Sequence, residues 1–210
     1  MTRTEITVAV LIIIAALGAG WMIEKAVTGR DLDNNANLMQ AGIILLQQGR
    51  PMPALRMTDE QGQPVMVNEL KGTWSLLFFG YTFCPDICPT TLAQLREIKR
   101  ALPAKSAERL QVYLVSVDPN RDTPAQLKDY LSYFDKSFKG LTAPEGILAQ
   151  FSTATSMPYL PADTRQPNYT VQHGGNLAII GPDGQLRGFI RAPFDTRLLL
   201  KALPDMLEGS

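Results

Sequence analysis

The chain has 210 residues, and its 20 basic and 20 acidic side chains give a formal net charge of zero. Nucleic-acid binding depends on clustered positive charge, so this balance gives no reason to expect a nucleic-acid partner. The sequence also lacks a glycine-rich phosphate loop, a dinucleotide fingerprint and a paired-histidine zinc motif, which argues against the enzyme classes that need them.

The first segment, residues 1–23, is predicted to be a membrane anchor. Residues 6–23 carry no charge and are dominated by Val, Leu, Ile and Ala. As a helix they would span roughly 27 Å, close to the thickness of a bilayer core, and Trp21 fits the aromatic belt at a membrane interface. The alternative is a cleaved signal peptide, but the apolar stretch is long for one and only Arg3 precedes it as a basic residue.

Residues 24–49 are predicted to be a linker that holds a globular domain away from the membrane. Their first part is polar, and the pattern from Leu38 to Gln48 favours a helix. Residues 50–207 then form one domain, which is long enough to bury a substantial core.

Strands and helices alternate along this domain. The sequence predicts short strands around Leu55 and Val65, buried strands at 74–79 and 110–117, a short strand near Gly140, and a hairpin of strands 176–180 and 186–190. It predicts helices over 89–102, 123–134 and 144–153, and a last helix that Asp195 caps and Pro204 interrupts or ends. Residues 156–167 are predicted to be an ordered loop. This order indicates an α/β, thioredoxin-like mixed sheet with flanking helices.

The two cysteines of the chain, Cys84 and Cys88, follow the first buried strand. Pro89 is expected to open the next helix because proline lacks an N–H group, which places Cys88 near the N-cap. The positive end of the helix would then favour the Cys88 thiolate and lower its pKa. A thiolate is both a nucleophile and a metal ligand, so this turn is suited to redox chemistry or to metal binding.

The single histidine, His173, precedes the predicted strand 176–180. In thioredoxin-type sheets the loop that enters this strand faces the cysteine turn, so folding is expected to bring His173 beside Cys84 and Cys88. Gly174 and Gly175 would let the backbone approach closely there. The alternative is a lone surface histidine.

Three chemistries remain open at the cysteine pair: a structural disulfide, a redox pair, and a metal site with His173. Thiolates prefer Cu(I) and imidazole accepts either oxidation state, so copper fits this ligand set. Zinc is the rival metal, but its closed structural sites use four protein ligands. A disulfide and a bound metal exclude each other, because metal binding requires both cysteines in the reduced form.

The chain resembles the SCO/SenC family of copper-binding assembly factors for cytochrome c oxidase. The resemblance covers residues 50–207 and the single anchor, and three motifs carry it: 79–92 around the cysteines, 115–124, and His173 ahead of 177–184. It implies a thioredoxin-like domain in the periplasm, or in the equivalent mitochondrial space, held at the membrane by the N-terminal helix. No arginine-rich, transit-like leader precedes the anchor, so a bacterial inner-membrane protein is the expectation. The resemblance also implies that Cys84, Cys88 and His173 bind copper, as Cu(I) or Cu(II), and help to metallate the CuA centre of oxidase subunit II.

The chain departs from the family pattern at a few positions. Phe83 stands where many relatives carry histidine, and Gln172 and Gly174 replace the usual Asp and Ser beside His173. Loss of that acidic neighbour bears on how the imidazole is oriented. Asp86 is a candidate for a weak fourth contact or for tuning the thiols, and the alternative is an ordinary solvated turn residue. Asp118 with Arg121 is expected to brace the nearby loop by ion pairing.

The sequence therefore leaves three alternative functions open. The first is a copper metallochaperone rather than a catalyst, with a thiol reductant and another copper donor as further partners. The second is a thiol-disulfide oxidoreductase in which Cys84 and Cys88 are the redox pair that reduces cysteines of an oxidase subunit or another exported protein. The third is a peroxide-reducing relative on the same fold. Only the first requires His173.

Overall fold

The structure is a computed structural model that describes residues 35–166 and 168–208. The predicted membrane anchor and residues 24–34 of the predicted linker lie outside these residues. Within them, none of the helices combines the length and the apolar character that a membrane span needs.

The core of the domain is a mixed eight-stranded sheet with the strand order β1-β10-β9-β4-β5-β6-β2-β3, beside which β7 and β8 form a separate pair. The strands are β1 (Ile43–Pro51), β2 (Arg56–Asp59), β3 (Pro64–Met66), β4 (Trp74–Gly80), β5 (Leu110–Ser116), β6 (Lys139–Thr142), β7 (Tyr159–Leu160), β8 (Gln172–His173), β9 (Leu177–Ile180) and β10 (Gln185–Ile190). The helices are α1 (Ile87–Ala101), α2 (Ala104–Glu108), α3 (Pro124–Phe134), α4 (Glu145–Thr155) and α5 (Thr196–Glu208).

The central strand β4 is buried along its whole length because helices cover both faces of the sheet. Leu76 and Phe78 point into a core shared with α1, α3 and α5, whereas Leu77 and Phe79 point into a second core that includes α4. β4, β5 and β6 run parallel and β9 runs antiparallel to β4. This architecture fits the predicted thioredoxin-like mixed sheet.

Most of the predicted elements from residue 55 onward are present. Thr123 caps α3 by accepting from the Gln126 N–H at 3.2 Å. Asp195 likewise accepts from the Leu198 N–H at the start of α5. The expectation that Pro204 interrupts or ends the last helix is wrong, since α5 continues through it to Glu208. The apolar residues beyond Pro204 are buried, and their packing offsets the hydrogen bond that proline cannot make.

The helical pattern predicted for 38–48 is wrong over most of its length. Only the start of that stretch, up to residue 40, is helical, and residues 43–51 form the edge strand β1, which pairs antiparallel with β10. The sheet therefore includes residues that the sequence pattern assigned to the linker. The pattern misleads because an edge strand is only partly covered. β1 buries Ile43 but leaves more than a third of Ile44 and of Leu45 exposed.

Candidate metal centre

The cysteine turn lies where β4 ends at Gly80 and α1 begins at Ile87. The helix was expected to start at Pro89, and it starts two residues earlier. Proline is tolerated in the first turn because the N–H groups there have no partner within the helix. Cys88 thus belongs to the first turn of α1, and Cys84 lies in the loop before it.

The two sulfurs are free and differ in exposure. Cys88 is fully buried, whereas Cys84 is partly exposed. Room for the Cys88 sulfur depends on Gly80, since a Cβ atom at position 80 would lie 2.6 Å from Cys88 Sγ. The end of β4 therefore forms the floor on which the inner sulfur rests.

His173 belongs to the short strand β8, which pairs with β7 through Tyr159. Its Nε2 atom lies 3.4 Å from Cys88 Sγ. The imidazole packs edge-on against the rings of Phe78 and Tyr81, with centroids 5.8 and 5.7 Å away. The expectation that folding brings His173 to the cysteine turn is confirmed.

A backbone carbonyl sets the tautomer of His173. Its Nδ1 atom lies 3.0 Å from the carbonyl oxygen of Gly174, which can only accept a hydrogen bond. Nδ1 therefore carries the proton, and the lone pair of Nε2 faces Cys88. The carbonyl thus orients the ring and directs Nε2 toward Cys88.

The ligand atoms of Cys84, Cys88 and His173 all lie within 4.8 Å of one another. Two soft sulfurs and one imidazole in such a cluster can hold a copper ion. Asp86 is not part of this group; it is exposed, and its backbone carbonyl accepts from Thr90. Its carboxylate is therefore not placed as a fourth ligand, but its backbone N–H favours the thiolate of Cys84, which fits the predicted role in tuning the thiols.

The pKa values of the two thiols move in opposite directions. The pKa of Cys84 is lowered to about 4, first by a hydrogen bond from the Cys88 thiol and further by the backbone N–H groups of Asp86 and Cys88. The pKa of Cys88 is raised, chiefly because burial disfavours its charged form, and also because the Cys84 thiolate lies beside it. The prediction that Cys88 is the activated thiolate is therefore wrong, since burial outweighs the helix end there.

Two buried aspartates fasten the surrounding loops. Asp122 accepts from the backbone N–H and the hydroxyl of Thr82 and from the hydroxyl of Ser116. Burial nevertheless raises the pKa of Asp122. Asp118 pairs with Arg121, which confirms the predicted ion pair.

Sequence patterns did not predict the partner of Thr82. They also did not predict the role of Tyr169, whose hydroxyl donates to Asp118 at 2.7 Å. The motif 115–124 marks the region of both aspartates, but it does not name their partners.

A thioredoxin-like domain with two cysteines and one histidine gathered beyond the end of its central strand defines the class of protein. The sequence profile described as SCO1/SenC matches residues 47–208. This chain belongs to the SCO1/SenC family.

Individual relatives agree with this assignment. A protein of Stutzerimonas stutzeri, whose name proposes copper binding, is 48% identical over 178 residues, which cover 85% of this chain and 87% of that protein. The structure of Bradyrhizobium japonicum ScoI with copper bound is 33% identical, with a TM-score of 0.64, and the match covers 73% of this chain and 97% of that one. Yeast Sco1 with copper bound is 27% identical, with a TM-score of 0.67 and coverage of 77% and 90%.

Proposed function

We propose that this chain is a copper metallochaperone that binds copper through Cys84, Cys88 and His173 and assists assembly of the CuA centre of cytochrome c oxidase subunit II. The observation that carries the proposal is the distance of 3.4 Å between Cys88 Sγ and the Nε2 atom of His173, residues that are 85 positions apart in sequence. The copper-bound structures of similar proteins support copper as the metal.

Each ligand must meet a chemical condition before copper binds. Both cysteines must be reduced and must lose their protons, while the coordinating nitrogen of the histidine must be neutral. Cys84 meets its condition at neutral pH, and the hydrogen bond from Nδ1 to Gly174 leaves Nε2 free. Copper binding would displace the proton of Cys88 into the solvent, because a bound cation offsets the cost of a buried thiolate. Thiolates favour Cu(I), and the imidazole allows Cu(II) as well.

The proposed location is the periplasmic side of a bacterial inner membrane, with residues 6–23 as the anchor. Uncharged apolar residues of bilayer length support the anchor. In that oxidising compartment Cys84 and Cys88 would close into a disulfide unless a thiol reductant kept them open. The proposal therefore includes a reductant and a copper donor as partners, besides the oxidase subunit.

The test is a copper titration of the full chain with both cysteines reduced beforehand. Wild type is expected to take up one copper ion with thiolate-to-copper charge-transfer absorption, and His173→Ala to lose affinity by at least about tenfold. Gln172→Ala is the matched control, because its side chain is exposed on the same strand. Equal affinity of His173→Ala and wild type would refute the three-residue ligand set.

Delivery is tested separately. The copper-loaded chain is mixed with the copper-free CuA domain of oxidase subunit II, and the CuA absorption is followed. Appearance of the CuA spectrum supports the assembly role. Copper that remains on this chain while free copper salts load the same domain would contradict it.

A thiol-disulfide oxidoreductase is the second candidate, and the asymmetry of the two sulfurs favours it. A partly exposed thiolate at Cys84 beside a buried thiol at Cys88 is the arrangement of an attacking and a resolving cysteine. This function needs no imidazole ligand. His173→Ala would then retain reduction of a disulfide substrate, whereas Cys84→Ser would abolish it. Absence of any disulfide reduction by the reduced wild type would exclude this candidate.

A further inference from the structure

Arg121 lies among three aromatic rings that belong to the two segments carrying the metal ligands. Its guanidinium carbon is 3.7 Å from the ring centroid of Tyr169, 4.9 Å from that of Phe83 and 5.6 Å from that of Tyr81. Phe83 directly precedes Cys84, and Tyr169 precedes His173 by four residues. The guanidinium therefore contacts aromatic rings of both segments.

A buried carboxylate fixes the direction of this guanidinium. Asp118 accepts from Nε of Arg121 at 2.5 Å and from the hydroxyl of Tyr169 at 2.7 Å. The Asp118 side chain is 1% exposed and that of Arg121 is 21% exposed, so both interactions are partly buried. Asp118 thus fixes the position of the Arg121 guanidinium relative to the ring of Tyr169.

Hydrogen bonds alone do not explain the position of the Arg121 guanidinium. One terminal nitrogen of its guanidinium is buried and has no hydrogen-bond partner among the described residues. The guanidinium carbon instead lies over the rings of Tyr169 and Phe83. A guanidinium stacks on aromatic faces in a way that the ammonium of lysine does not.

We propose that Arg121 is a positioning residue for the metal centre. By stacking on Phe83 and on Tyr169, it holds the cysteine turn against the segment that carries His173, and so sets the separation between the sulfurs and the imidazole. The inference rests on the proposed copper-binding function. It also gives a role to Phe83, the residue directly before Cys84.

The test compares two variants of Arg121 in the full chain with both cysteines reduced. Arg121→Lys keeps the charge and removes the planar face, and Arg121→Met removes both. We expect both to weaken copper binding by about tenfold and to shift the thiolate-to-copper charge-transfer band, because residues that orient metal ligands act on affinity on this scale. Arg165→Met is the matched control, since Arg165 is a highly exposed loop arginine paired with Asp163.

A double-mutant cycle identifies the contact that is responsible. Phe83→Leu is expected to shift the same band in the wild-type background and to have little further effect in Arg121→Met, because neighbours that act through one contact are not additive. If both Arg121 variants keep the wild-type affinity and spectrum, or if the effects of Phe83→Leu and Arg121→Met simply add, the inference is wrong.

Folding and the copper site itself are controlled in the same series. Circular dichroism reports folding, and if Arg121→Met does not fold, Arg121→Lys and Phe83→Leu decide the outcome on their own. His173→Ala is titrated alongside the other proteins. If His173→Ala keeps the wild-type copper affinity, the proposed ligand set is refuted. If His173→Ala loses affinity while both Arg121 variants keep the wild-type affinity and spectrum, only the positioning role is refuted.

Discussion

Cys84 and Cys88 have opposite environments although only three residues separate them. Cys84 is partly exposed and receives hydrogen bonds that favour its thiolate. Cys88 is fully buried at the end of the central strand, where a negative charge is costly. The outer sulfur is therefore the one that meets reagents and partners first.

This asymmetry predicts how the reduced, copper-free chain reacts with iodoacetamide. Cys84 is expected to be modified before Cys88. Its rate should stay nearly constant from about pH 8 to about pH 5 and then fall as the pH approaches the Cys84 pKa of about 4, because protonation removes the thiolate below that pKa. Peptide mapping by mass spectrometry identifies the modified cysteine. The assignment of Cys84 as the thiolate would be contradicted if Cys88 were modified first. It would also be contradicted if the rate fell as the pH dropped below an ordinary thiol pKa of about 8.5.

Gly80 is expected to be essential to the geometry of the inner sulfur. In Gly80→Ala the new methyl would lie 2.6 Å from Cys88 Sγ and 3.1 Å from side-chain atoms of Leu114 and Phe78. Overpacking of this kind costs about 1–3 kcal/mol of folding free energy, and the displaced sulfur should weaken copper binding. Denaturant unfolding and copper titration measure the two effects.

Gly146→Ala is the control for that substitution, because nothing lies within 4 Å of its Cβ position. Gly146→Ala should leave copper affinity unchanged and should alter folding stability only by the small gain expected of alanine in a helix. If Gly80→Ala behaves like Gly146→Ala, the floor beneath Cys88 is less tightly packed than the distances indicate.

At the scale of single residues, the sequence predicted which side chains form the site but not how buried or how ionised each of them is. The identity of Cys84, Cys88 and His173 follows from their scarcity and from the motif around them. Which sulfur is ionised depends on burial beneath β4 and on the Cys88–Cys84 hydrogen bond, and both are properties of the folded chain. The stack of Arg121 on Phe83 and Tyr169 joins three distant segments, so no local pattern could reveal it.

The elements were predicted best where their signals are local. β4 is a continuous apolar run, and α1 has apolar residues at helical spacing together with a proline in its first turn. β1 is different, because its partner β10 lies more than 130 residues downstream. Its sequence has no period of two, since it is an edge strand with a register shift between Leu45 and Arg50.

Two neighbouring isoleucines of β1 test whether this strand is part of the core. Ile43 is 1% exposed and Ile44 is 38% exposed. Ile43→Ala is expected to lower the free energy of unfolding by about 2–4 kcal/mol, because the lost side chain leaves a cavity. Ile44→Ala should cost under about 1 kcal/mol, because much of its side chain already meets water. Equal, small losses in both variants would mean that β1 is not packed on the sheet.

The whole molecule is needed to make the site, because its ligands come from the turn after β4, the first turn of α1 and the strand β8. The unfolded chain has Cys84 and Cys88 as near neighbours but has no means of holding His173 beside them. Copper that binds all three should therefore prefer the folded state and stabilise it.

Copper is expected to raise the thermal unfolding midpoint of the reduced chain. At a free concentration one hundred times the dissociation constant, a ligand specific to the folded state adds about 2.7 kcal/mol. Scanning calorimetry without oxygen measures the shift. His173→Ala should show a much smaller increase at the same copper concentration, whereas Gln172→Ala should match wild type. A shift of equal size in all three proteins would indicate copper binding that does not depend on the histidine.

The most direct measurement is X-ray absorption at the copper edge of the reduced, copper-loaded full chain. The geometry of the site predicts two sulfur scatterers and one imidazole nitrogen, with the imidazole signal absent in His173→Ala. A spectrum with two sulfurs and no imidazole in the wild-type protein would contradict the three-residue centre and would leave the dithiol function as the better explanation of this chain.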